Sequence, residues 1–99
     1  MEVNINSVHF KADSKLEDFI REKTAKLFNL FDGVHSCDVI LRVDSASNNE
    51  NKIAEIKVII PGNDLFAKKQ AKSFEEAVDN SVDALKRQVK KHKEKLKGL

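Results

Sequence analysis

Three histidines, one cysteine and sixteen carboxylates are the side chains of this 99-residue chain with the chemistry for catalysis or metal binding. Their spacing argues against both. His9, His35 and His92 are scattered along the chain, and none has a neighbour at the short intervals that zinc ligands require. His92 falls at the edge of an apolar helical stripe, a packing position. Cys37 sits in a strand-like alternation and reads as a small buried residue; one cysteine forms neither an internal disulfide nor a zinc cluster. No glycine-rich phosphate loop occurs, since Gly33 and Gly62 are explained by a helix stop and a turn. The acids show no pairing suited to acid–base work. The expectation is a protein that is not an enzyme and needs no cofactor, metal or small-molecule substrate.

The remaining chemistry is the binding of phosphates by cations. The formal net charge of +2 conceals a division: residues 1–84 carry 11 basic against 15 acidic side chains, whereas residues 85–99 carry seven basic against one acidic. Wound at about 100° per residue, Val78, Val82, Leu85, Val89 and Leu96 fall within a narrow apolar stripe. Lys86, Lys90, Lys93 and Lys97 form a cationic stripe beside it, and Arg87, Lys91 and Lys95 lie further round. A basic helix end has three ordinary readings: nucleic-acid contact, contact with an anionic membrane, or a solvated end that suits the helix dipole. Six excess positive charges in fifteen residues exceed what a helix end needs. Lys15, Lys23 and Lys26 add a weaker cluster on an earlier helix. If the two helices lie side by side, their basic flanks line a common groove. Lysines would meet RNA phosphates there as point charges and Arg87 as a fork, reading backbone shape rather than sequence. The absence of Trp and Tyr agrees with this, because single-strand binders expose stacking aromatics. Most Phe residues fall on core-facing positions, with Phe28 and Phe66 as the exceptions.

Several elements must position these charges. Val3, Ile5, Val8 and Phe10 describe a strand over 2–10 with a bulge near Ser7. Ser14 and Glu17 form a capping box before a helix carrying Leu16, Phe19, Ile20, Leu27 and Phe31, with Thr24 filling a gap in the apolar face and Gly33 at C′. Cys37, Val39, Leu41 and Val43 alternate as a second strand, and Ser45 to Asn51 reads as a loop. Ala54, Ile56, Val58 and Ile60 mark a third strand, Pro61-Gly62 a turn, and Leu65, Ala67 and Ala71 a fourth. Ser73 and Glu76 form a second capping box before the basic helix. The order is β-α-β-β-β-α. The reading is an α+β fold, a four-stranded mixed sheet with two helices packed on one face; the other face presents Asp38, Arg42, Glu55, Lys57, Lys68 and Gln70.

Length predicts a single domain over 1–99. The longest apolar run is far short of the ~20 residues that span a bilayer, and the N-terminus lacks the pattern of a signal peptide. A cytoplasmic protein with no membrane partner is expected.

The stretch from Ser73 through Asp79, followed by Leu85 to Lys95, resembles the signature of the ribosome hibernation-promoting factors, also called ribosome-associated inhibitors or the sigma-54 modulation protein family. In that family an aromatic residue and Ala-x-Asp precede a Leu-x-Arg-Gln-x-x-Lys-x-Lys run. Lys23-x-x-Lys26-Leu27 matches as well, and the similarity spans essentially the whole chain. The resemblance implies a fold similar to double-stranded RNA-binding domains. It also implies binding to the small ribosomal subunit, on 16S-type rRNA backbone, in the channel for mRNA and tRNA, so that idle ribosomes are preserved under starvation or in stationary phase. The family's RNA-contacting positions match Lys23 and Lys26, then Arg87, Lys90 or Lys91, and Lys93 or Lys95; with Lys86 of the cationic stripe, the candidate rRNA-binding set is Lys23, Lys26, Lys86, Arg87, Lys90, Lys91, Lys93 and Lys95. The family often carries Lys just before the signature Leu and Glu just after it, where this chain has Ala84 and Lys86. The chain reads as a short form with no C-terminal dimerisation domain, which leaves room for a separate ribosome-dimerising factor as partner. The competing reading is a protein-interaction module that modulates a transcription factor.

Overall fold

The computed structural model describes residues 2–45 and 49–96. The expected ridge residue Lys97, the side chain of Leu96 and the loop positions Ala46 to Asn48 lie outside the described residues. The elements follow the order expected from the sequence: β1 (Glu2–Ser7), α1 (Ser14–Leu30), β2 (Ser36–Val43), β3 (Lys52–Ile59), β4 (Leu65–Ala71) and α2 (Phe74–Leu96). One sheet holds the strands in the order β1-β2-β3-β4. β1 runs parallel to β2 because α1 carries the chain back between them, whereas the two short connections leave β2–β3 and β3–β4 antiparallel. The register stacks Val3, Cys37 and Val58 in one row and Ile5, Val39 and Ile56 in the next, all on the face beneath the helices. The outer face carries polar pairs, among them Asn4–Asp38, Arg42–Glu55 and Lys57–Asp64.

Alternation and helical spacing gave these elements correctly because each has one buried face. Their ends are set by local chemistry. The cap of α1 is Asp13, one residue earlier than the expected Ser14: its carboxylate accepts from the Leu16 amide at 2.8 Å, and Ser14 is already helical. Ser73 caps α2 as expected, accepting from the Glu76 amide at 3.1 Å. Gly33 is not a left-handed helix stop. α1 ends at Leu30, with Phe31 extended at φ −150°, and a Cβ on Gly33 would lie 2.6 Å from Cε2 of the Phe31 ring. A side chain at position 33 would have to displace the Phe31 ring. Gly62 does take positive φ (78°), in the turn closed by the Asn63 amide on the Ile60 carbonyl. β1 stops at Ser7 rather than Phe10; the Val8 amide still reaches the Leu41 carbonyl, and His9 then turns the chain with φ 65°. Phe28, expected as an exposed exception, is buried, while Phe66 is 50% exposed as expected.

α2 lies over β3 and β4, and α1 packs beside it. Small residues are gathered where α2 meets the sheet: Ala54, Ala67, Ala71 and Ala77 belong to one buried cluster, and the hydroxyl of the buried Ser81 donates to the Ala54 carbonyl at 3.4 Å. Thr24, fully buried on α1, is satisfied by donating to the Ile20 carbonyl at 2.8 Å. Cys37 is buried in the sheet as expected, and its thiol is pushed up to about 12, first by burial and second by the charge of Asp38. Two results should follow. A water-soluble thiol reagent at pH 8 should leave native Cys37 unreacted and label it fully in denaturant. Stability should fall as pH rises from the unfolded thiol's value of 9.0 towards about 12, because the unfolded chain releases a proton that the native chain keeps.

Candidate nucleic-acid interface

The two helices run in the same direction. Lys23, midway along α1, pairs with Asp79 near the start of α2, and Leu30 at the end of α1 meets Lys93 near the end of α2. Both negative dipole ends therefore lie toward one side of the molecule. The last turn of α1 contains no basic residue, whereas that of α2 contains Lys93 and Lys95. Lys93 serves α1 instead: its ammonium donates to the Leu30 carbonyl at 2.9 Å.

The structure sorts the eight cations singled out in the sequence into two groups. Three are half-buried and engaged within the protein. Lys23 bridges to Asp79 at 3.2 Å and lies 5.4 Å from the centroid of the Phe19 ring. Lys86 is 3.9 Å from Asp83 one turn earlier, and Lys93 holds the end of α1. The other five, Lys26, Arg87, Lys90, Lys91 and Lys95, are exposed and have no ion-pair or hydrogen-bond partner among the described residues. Six of the eight lie on α2, and Lys23 and Lys26 lie on the helix packed beside it. The side-by-side arrangement is thus observed, but the cations do not share one groove: Lys86, Arg87, Lys90 and Lys93 line the groove beside Leu30, to which α1 contributes no lysine, and Lys91 and Lys95 lie beside Asn63 and Leu65 on the side of β4.

Two residues outside that set also matter. Gln88 donates to the Phe66 carbonyl at 2.9 Å, tying α2 to β4, the edge strand of the sheet. Its place between Arg87 and the apolar Val89 marks it as a residue on the boundary of the buried stripe, which is the signal that the sequence carries for it. Leu30, 39% exposed, lies in a groove of about 520 Å³ between the end of α1 and α2. His92 packs edge-on against Phe31 with ring centroids 5.4 Å apart, in keeping with a packing role. Among the described residues no group of three or more His, Cys, Asp or Glu is placed to hold a metal ion. No described helix is long and apolar enough to cross a membrane.

The fold is thus a two-layer α+β arrangement whose helical layer carries five exposed cations without partners among the described residues. The chain belongs to the family described as Sigma 54 modulation protein / S30EA ribosomal protein, whose model matches residues 3–97. A ribosome hibernation promoting factor of Pseudomonas putida is 33% identical over 99 residues, covering 100% of this chain and 93% of that protein. The protein of the same name in Escherichia coli is 29% identical over 97 residues, covering 98% of each chain. Among solved structures, the N-terminal domain of Thermus thermophilus Protein Y superposes with a TM-score of 0.79 at 25% identity, covering 93% of this chain and 99% of that one. A ribosomal subunit interface protein from Coxiella burnetii gives 0.83 at 18% identity, covering 94% and 98%, and supports the fold alone.

Proposed function

We propose that this protein is a non-catalytic, cytoplasmic inhibitor of translation. It binds the small ribosomal subunit through the backbone of 16S-type rRNA, occupies the channel for mRNA and tRNA, and preserves idle ribosomes under starvation or in stationary phase. The observation that carries this reading is the set of exposed cations Lys26, Arg87, Lys90, Lys91 and Lys95, without partners among the described residues, on two parallel helices, in a chain whose relatives are named for ribosome hibernation. Free ammonium and guanidinium groups on a rigid helix meet phosphates without first breaking internal pairs. The reading as a modulator of a transcription factor gains little, because polar pairs flank Ile40, Ile53 and Ile59 on the outer sheet face, none of them exposed, and among the described residues Phe66 is the one exposed phenylalanine.

Sucrose-gradient sedimentation of purified ribosomes with the protein tests the proposal. Co-migration with the small subunit and the intact ribosome is expected. Affinity should fall with salt by a log–log slope of about 0.7–0.9 per phosphate engaged. Comparable affinity for arbitrary RNA duplexes, or binding that persists unchanged in high salt, would overturn the reading.

A further inference from the structure

Backbone contacts alone leave one part of the ridge unexplained. The groove beside Leu30 is lined by that exposed apolar side chain, by Lys86, Arg87, Lys90 and Lys93, and by Glu94, over the buried Val89. A volume of about 520 Å³ falls within the range of about 300–1,000 Å³ that holds a small organic ligand. A phosphate has no use for an exposed apolar side chain, and Glu94 would repel it. A nucleobase suits both features. Its ring face rests on aliphatic carbon, its amino or imino N–H donates to a carboxylate, and the phosphates on either side of it reach the rim.

Resting on the function proposed above, we propose that this groove receives a single unpaired nucleotide of the bound RNA. The base would lie on Leu30 and the aliphatic stems of the lysines around it, with a donor edge toward Glu94, and its flanking phosphates would lie on Arg87 and Lys90. The charge of the rim favours this occupant over an uncharged apolar partner. The interface would then combine backbone contacts with one base contact, supplied by aliphatic side chains in a chain without Trp or Tyr.

Equilibrium binding to purified small subunits tests the proposal with variants at two positions. Leu30 is exposed, and the carbonyl that holds Lys93 belongs to the main chain, so Leu30 variants should keep the wild-type Tm. Leu30→Ser should weaken binding about fivefold with an unchanged salt slope, since it removes apolar area and leaves every phosphate-binding cation in place. Leu30→Lys should also weaken it, although it adds a cation. Glu94→Ala should weaken binding although it removes an anion. Unchanged affinity of Leu30→Ser, or tighter binding by Leu30→Lys or Glu94→Ala, would mean that the groove meets only phosphate and would overturn the proposal. Displacement from subunits by millimolar AMP or GMP that is lost in Leu30→Ser would show that the groove takes a nucleotide and would support the proposal. Failure of the wild-type protein to bind subunits is a separate result and counts against the proposed function itself.

Discussion

Replacing Arg87, Lys90 and Lys91 together by glutamate is expected to abolish co-sedimentation with ribosomes, weakening binding at least about a hundredfold at moderate salt. All three are exposed and unpartnered among the described residues, so their charge is fully available to a ligand. The reversal takes the last fifteen residues from seven basic and one acidic to four of each, removing the local excess. Three attractions to phosphate give way to three repulsions. The salt slope should fall by roughly 2–3, close to one for each phosphate that is no longer neutralised. The fold should persist. None of the three side chains lies in the core, and glutamates in the second half of α2 cost only tenths of a kcal/mol against its dipole. Circular dichroism showing a Tm within a few degrees of wild type would secure that point. Ribosome binding by the triple variant at wild-type affinity would disprove the ridge as the interface. Lys23, Lys86 and Lys93 are less suitable targets, because changing them also removes ties within the protein.

That division among the cations is the part of the site that the sequence did not reveal. Winding a helix at its regular period showed which lysines share a face, since the angle depends only on position. It said nothing about Lys93 reaching across to Leu30, because that bond depends on how far α1 runs and on the direction in which it lies beside α2. The pairing of Lys23 with Asp79 is hidden for the same reason, the partners lying 56 positions apart. The strands were legible because Cys37, Val39 and Leu41, and likewise Ala54, Ile56 and Val58, each line one buried face. Boundaries were less so. Asp13 and Ser14 are both good caps, and only the hydrogen bond from the Leu16 amide decides between them. At Gly33, the sequence pattern of a glycine after a helix is the same whether it serves left-handed φ or the approach of the Phe31 ring.

Leu85→Ala is expected to have the largest effect on stability, and it separates an ordered ridge from mere local charge. Leu85 is fully buried in the stripe of α2 formed with Val78, Val82 and Val89, directly before Lys86 and Arg87. Removing its three outer carbons leaves a cavity and should cost about 3 kcal/mol. That is a large share of the roughly 5–15 kcal/mol that holds a domain of this size folded. The Tm should fall by roughly 12–24 °C, measurable by circular dichroism. The variant keeps every cation. At low temperature, where it is folded, it should bind ribosomes within a few-fold of wild type. Between its own Tm and that of the wild type, binding should collapse while wild-type binding persists. Were a flexible basic segment sufficient, the variant would bind equally well on both sides of its melting transition, and the rigid spacing of cations along α2 would be irrelevant. Loss of binding in step with unfolding would instead show that phosphates are matched by positions fixed on the helix, and that the burial of Leu85 is what fixes them.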